Sequence, residues 1–213
     1  MNNIKNIIFD MGGVLVDLDP QRCIDAFGKI GCRQIAAYVE EHRTEDLFYD
    51  IETGRTTQQQ FCQEVRRIAQ ADAADTKIVW AWNQLLTGIA DEKKARLIEL
   101  GRTYRLYLLS NTNIMHWEKC RDVFFPYMGH TADDYFTQIF LSYEMHMSKP
   151  NADIFGQTLH DAGINAAETL FVDDSADNCS AARRLGINTL HETTGRDWMQ
   201  LLQPSARTTD LQL

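Results

Sequence analysis

Apolar residues follow two different rhythms along this chain. Short continuous runs, Ile7-Ile8-Phe9, Leu108-Leu109, Ile139-Phe140-Leu141 and Leu170-Phe171-Val172, have the pattern of strands buried on both faces. Between about residue 17 and residue 88 the rhythm changes to helical spacing, as in Cys23, Phe27 and Ile30 or Phe61, Val65 and Ile68, and no strand-like run is seen. Thr53-Gly54-Arg55-Thr56-Thr57 punctuates that stretch as a helix stop followed by an N-cap. Alternation then returns. After a first strand at 4–10, the pattern predicts helix 91–103, strand 105–110, helix 113–120, strand 138–141, helix 150–162, strand 169–173, helix 175–185 and a short strand near 187–190. Strands separated by helices imply parallel pairing with right-handed crossovers. The expected fold class is therefore α/β: a Rossmann-like parallel sheet core from residues 1–16 and 89–202. A small all-helical subdomain, 17–88, is inserted after the first strand, and the polar residues 203–213 read as a loose tail.

The strand ends carry the chemistry. In an open α/β sheet, reactive groups collect outside the carboxyl ends of the strands. Asp10 closes the first run and precedes Gly12-Gly13; it reads either as a turn-forming residue or as a nucleophilic carboxylate able to attack phosphorus. Ser110-Asn111-Thr112 lies between a strand and a helix, where N-capping and anion binding are compatible roles. Lys149, in Ser148-Lys149-Pro150, is an ordinary solvated lysine in isolation and a clamp for phosphoryl charge in this order; Pro150 suits the first position of a helix. N-capping explains one member of the pair Asp173-Asp174 but not both. Adjacent carboxylates near a third repel strongly, and a hard cation such as Mg²⁺ answers that repulsion. Asn178 is placed to brace a ligand carboxylate.

Composition narrows the classes. The chain has 213 residues, 44% hydrophobic and 24% charged, and a formal charge of −9, which argues against a nucleic-acid partner. No apolar run is long enough to cross a membrane, so no membrane partner is expected. Cys23, Cys32, Cys62, Cys120 and Cys179 are odd in number and show no CxxC spacing, as expected for reduced thiols in a cytoplasmic protein. The opening Met1-Asn2-Asn3-Ile4-Lys5 lacks the build of a secretory signal. Trp80, Trp82 and Trp117 read as core residues.

Taken in order, Asp10, Ser110, Lys149 and Asp173-Asp174 resemble the four motifs of the haloacid dehalogenase-like hydrolase superfamily, and the match spans nearly the whole chain. The helical insertion resembles that superfamily's small cap. Phe9-Asp10-Met11-Gly12-Gly13-Val14-Leu15-Val16-Asp17, Leu109-Ser110-Asn111-Thr112-Asn113 and Val172-Asp173-Asp174-Ser175-Ala176-Asp177-Asn178 look like one branch in particular. It contains bacterial α-D-glucose-1-phosphate phosphatase and the phosphatase domain of soluble epoxide hydrolase, and Glu52-Thr53-Gly54-Arg55 is similar to its cap. The resemblance implies a Mg²⁺-dependent phosphatase of small phosphorylated metabolites, such as glucose 1-phosphate. Asp10 would be the nucleophile, and Mg²⁺ would be held by Asp10, the Gly12 carbonyl and Asp174. Asp173 would stand behind them, while Ser110 and Lys149 would grip the phosphoryl group and Asn111 would join them in binding substrate.

One position departs from the superfamily pattern. Gly12 stands where many members carry an acid/base Asp, and loss of a positioned acid costs on the order of 10²–10⁴-fold in rate. An anomeric phosphate, with its better leaving group, would depend less on that acid. His146 reads as a surface residue or a substitute proton donor. Asp17 and Asp19 sit at the entry to the insertion; Asp17 reads as a hinge or cap anchor or as a substrate contact, and Arg22 as solvated helix surface or as a contact to a substrate hydroxyl or phosphate. The alternatives are dehalogenase chemistry, which needs no metal, a phosphomutase, which needs the missing acid, or a catalytically weak binding protein.

Overall fold

The computed structural model of the protein describes residues 3–41 and 47–202. Five parallel strands form the central sheet: β1 (Asn6–Phe9), β4 (Arg105–Ser110), β5 (Gln138–Leu141), β6 (Thr169–Asp173) and β7 (Asn188–His191). Their order is β5-β4-β1-β6-β7, so the first strand lies at the centre. Register pairs Phe9 with Leu108 on one side and with Val172 on the other. Asp10, Ser110 and Asp173 therefore emerge at the same edge. Alternation along each strand feeds two apolar layers: Ile7, Phe9, Leu106, Leu108 and Val172 on one face, and Ile8, Tyr107, Leu109 and Phe171 on the other.

Helices cover both layers. They are α6 (Asp91–Gly101), α7 (Ile114–Lys119), α8 (Ala132–Tyr135), α9 (Ser142–Met145), α10 (Ala152–Ala162), α11 (Ala176–Arg184) and α12 (Asp197–Leu201). The predicted helix at 150–162 begins at Ala152, because Asn151 adopts extended backbone and takes the N-cap position. Helix α12 was not foreseen. Glu192, 1% exposed, accepts the backbone N–H groups of Thr194, Arg196, Asp197 and Trp198 and so organises its first turn.

The inserted region holds α1 (Pro20–Lys29), α2 (Arg33–Glu40), α3 (Leu47–Glu52), α4 (Gln58–Ala69) and α5 (Asp75–Trp82). Its apolar cluster includes Phe27, Phe48, Phe61, Val65 and Trp82, and Met115 of α7 packs into it. Thr57 caps α4 through a reciprocal capping box with Gln60. The expectation of no strand between 17 and 88 needs correction. β2 (Asp17–Leu18) pairs antiparallel with β3 (Leu86–Gly88), closing the ribbon through which the chain leaves the sheet and returns. A two-residue strand is too short for its alternation to show in sequence. Trp80 is also corrected: it is 43% exposed, whereas Trp82 and Trp117 are buried. The tail expected at 203–213 lies outside the described residues.

Candidate active site

Asp10 follows β1 directly, and its amide donates to Val172 O on the neighbouring strand. This bond fixes the residue where strands β1 and β6 end together. Its side chain receives Lys149 Nζ on Oδ1 at 2.8 Å. The same ammonium donates to Asp173 Oδ2 at 2.6 Å and to Leu109 O at 3.0 Å. Lys149 thus spends all its donors on the floor of the site, with its side chain 1% exposed.

Asp173 is fully buried and saturated. Beyond Lys149 it accepts Ser175 N at 2.8 Å and Asn178 Nδ2 at 2.9 Å, both on Oδ1. Asn178 therefore braces Asp173. Asp174 is exposed, and its Oδ2 stands beside Gly13; a Cβ built on that glycine would meet it at 2.2 Å. With φ at +74°, Gly13 is required both by backbone conformation and by this close approach. Oxygens of Asp10, Asp173 and Asp174 lie within 4.8 Å of one another.

Charge explains what this arrangement needs. Burial pushes the Asp10 carboxyl up to about 7, Lys149 draws it down, and Asp173 and Asp174 push it up again. Asp174 is also raised, by burial and then by Asp173. Desolvation opposes the Lys149 cation, yet Asp10 and Asp173 hold its pKa above the ordinary lysine value. Carboxylates from three residues face one ammonium, which leaves two negative charges uncompensated. An all-oxygen donor set with that excess fits a hard divalent cation.

Ser110 closes β4 and is 1% exposed; among the described residues its Oγ makes a long 3.4 Å contact with Asn111 O. Asn111 turns its whole amide to the Lys149 backbone: Oδ1 accepts Lys149 N and Nδ2 donates to Lys149 O, each at 2.9 Å. A side chain and a backbone 38 residues apart in sequence carry no local signal of that pairing. Gly12 does not adopt positive φ, and a Cβ there would meet Leu18 Cδ1 at 3.3 Å.

The remaining candidates lie at the seam with the helical region. Asp17 accepts Lys93 Nζ at 2.8 Å, and that lysine, 1% exposed, also reaches Leu15 O. Asp19 caps α1 through Arg22 N, and the Arg22 guanidinium donates to Gln84. His146 is exposed and holds Thr53 O at 3.0 Å through Nδ1. Lys93 was invisible in sequence, because a lysine on a helix is ordinarily solvated. Ser142 was missed too, although a polar residue directly after a strand end, as at Ser110, was an available signal. Its buried Oγ accepts Thr112 N at 2.9 Å and lies 2.6 Å from Glu52 O.

A parallel sheet with a carboxylate nest and a buried lysine at its carboxyl edge defines the class of Rossmann-like hydrolases that work through strand-end carboxylates. Residues 4–186 match the family model for haloacid dehalogenase-like hydrolases, and the chain belongs to that family. It is 31% identical over 201 residues to a D-ribitol-5-phosphate phosphatase of Bacteroides thetaiotaomicron, covering 93% of this chain and 97% of that protein. A haloacid dehalogenase-family enzyme from Bacteroides thetaiotaomicron, solved with magnesium and inorganic phosphate, superposes with a TM-score of 0.89 at 41% identity, covering 94% of this chain and 100% of that one. A predicted hydrolase of the same family from Porphyromonas gingivalis gives a TM-score of 0.85 at 35% identity, covering 93% and 96%.

Proposed function

We infer that this hydrolase is a Mg²⁺-dependent phosphatase of small phosphorylated metabolites, sugar or sugar-alcohol phosphates, working through an aspartyl phosphate on Asp10. The observation that carries the reading is the charge balance of the nest, where Lys149 leaves two negative charges for a divalent ion. The magnesium and phosphate of the similar Bacteroides thetaiotaomicron structure support it, as does the activity named for the ribitol-phosphate relative.

Mg²⁺ held by Asp10, the Gly12 carbonyl and Asp174 would supply positive charge beside the phosphoryl oxygens. Asp10 attacks phosphorus in line, and the P–O bond to the leaving group breaks as the new bond to the carboxylate forms. The leaving oxygen keeps the electron pair and takes its proton from water, since Gly12 offers none. Water then attacks the aspartyl phosphate, releasing inorganic phosphate and restoring the Asp10 carboxylate. Lys149 anchors Asp10 against Asp173, Asn111 fixes the Lys149 backbone, and the Ser110 hydroxyl binds a phosphoryl oxygen. Residues 17–88 act as a cap that excludes water from the site. The free, buried state of all five cysteines supports a reducing, cytoplasmic setting, and no described helix is long and apolar enough to cross a membrane.

The test is phosphate release from glucose 1-phosphate, glucose 6-phosphate, ribitol 5-phosphate and phenyl phosphate, with Mg²⁺ and with chelator, beside Asp10→Asn. Metal-dependent release that the substitution abolishes is expected. A fast anomeric ester would support the leaving-group argument, and equal rates for the two glucose phosphates would remove it. Release that survives Asp10→Asn would sink the aspartyl-phosphate mechanism.

A further inference from the structure

Lys93 stands in an unfavourable place for a cation. It lies in the first turn of α6, where the helix dipole opposes positive charge, and its side chain is 1% exposed. Its counter-ion compensates weakly, because Asp17, 2.8 Å away, is 56% exposed. The loop leading into α12 closes over the ammonium: Arg196 pairs with Glu92, the neighbour of Lys93, and Gly195 takes φ +72°. A Cβ on Gly195 would lie 3.6 Å from Lys93 Nζ, 3.4 Å from Gly13 O and 3.9 Å from Asp17 Oδ1. An apolar side chain of similar length would fill this position without the desolvation cost, so the ammonium answers to something other than stability.

What it holds is the turn after Asp10. Nζ donates to Leu15 O at 3.2 Å and to Asp17 Oδ1, so it grips the chain on both sides of Val16. Val16 in turn sets the turn's geometry. Its N–H donates to Met11 O at 2.7 Å, and its carbonyl accepts Gly13 N at 2.9 Å. The Gly13 N–H and the Gly12 carbonyl belong to one planar peptide, so the bond to Val16 O also fixes where the Gly12 carbonyl points. That carbonyl takes no part in the turn's own bonds. Val14, Leu15 and Val16 are fully buried and anchor the turn through their side chains, but apolar packing is not directional and leaves the peptide planes to be set by hydrogen bonds.

We propose that Lys93 is a positioning residue for Gly12: by holding Leu15 O and Asp17 about Val16, it presets the direction of the Gly12 carbonyl for a divalent cation. The inference rests on the Mg²⁺ site of the phosphatase reading above. Groups that orient a metal ligand without touching the ion govern affinity, because they spare the ligand reorganisation on binding.

The experiment compares Lys93→Met, Asp17→Ala and the unmodified protein in two ways: calorimetric titration with Mg²⁺, and phosphate release from ribitol 5-phosphate over a range of Mg²⁺ concentrations. Lys93→Met is expected to weaken Mg²⁺ binding about tenfold. Activity lost at low Mg²⁺ should return at saturating Mg²⁺, with KM for the ester unchanged. Asp17→Ala, which keeps the contact to Leu15 O, should show a smaller loss in the same direction. Unaltered Mg²⁺ affinity in Lys93→Met would overturn the proposal and leave the phosphatase reading standing. Activity that stays low at saturating Mg²⁺ would do the same, since it marks a deformed core or cap. If Lys93→Met does not fold, the Asp17→Ala titration decides, and an affinity equal to that of the unmodified protein rejects the role. Mg²⁺ binding without hydrolysis of any ester would remove the phosphatase reading, and calorimetry would still decide the role of Lys93. An unmodified protein that binds no Mg²⁺ would overturn both.

Discussion

Lys149 Nζ and Asp173 Oδ2 lie 2.6 Å apart, with side chains 1% and 0% exposed, and their bond is the floor on which Asp10 rests. Neither charge can be rehydrated in place. Lys149→Met should therefore destabilise the protein by about 3–5 kcal/mol, the usual cost of stranding a buried partner. Chemical denaturation of the metal-free protein measures it. A change below about 1 kcal/mol would mean the pair behaves as a surface ion pair.

Proton and metal compete for the same nest. Burial raises Asp10 from 3.8 to about 7, so between those values the folded, metal-free protein holds a proton that the unfolded chain has released. Its contribution to stability is greatest at low pH and is lost as pH rises through about 7. Mg²⁺ binding requires the ionised carboxylate, so affinity should climb about tenfold per pH unit up to that point and then level off. Melting curves at several pH values, with and without Mg²⁺, should show the ion's stabilising effect growing with pH; a pH-independent increment would contradict the coupling.

At Gly13, the methyl group of alanine would meet Asp174 Oδ2, and its φ of +74° is unfavourable for any side chain. Gly13→Ala should cost about 1–3 kcal/mol from backbone strain. It should also displace Asp174 and weaken Mg²⁺ binding, as read by calorimetry. Retention of full Mg²⁺ affinity would show that Asp174 is not a ligand.

The neighbouring glycine behaves differently. Gly12 needs no special backbone conformation, and the nearest atoms that a Cβ there would meet belong to Leu18, which is 41% exposed. Gly12→Asp should therefore fold normally and raise turnover of esters with poor leaving groups by about tenfold or more, within the range of a positioned acid. Melting temperature and kcat on glucose 6-phosphate and on phenyl phosphate provide the check. Equal gains on both would mean the new carboxylate is not acting as an acid.

The sheet and its reactive edge were legible in the chain because they depend on local order. A short apolar run forms a strand, its last residue faces the edge, and Asp10, Ser110, Asp173 and Asp174 were found there for that reason alone. What each group does with its neighbours was settled only by folding. Lys149 turned out to spend its donors on Asp10, Asp173 and Leu109, and Asn111 to hold the Lys149 backbone. Ser142 ties Glu52 to Thr112, and Leu18 rather than open space faces Gly12. Trp80 stayed in solvent. Periodicity tells which face of an element is buried, but a hydrogen bond depends on distances of a few tenths of an ångström between segments far apart in the chain, and those distances exist only once the strands have paired and the helices have packed.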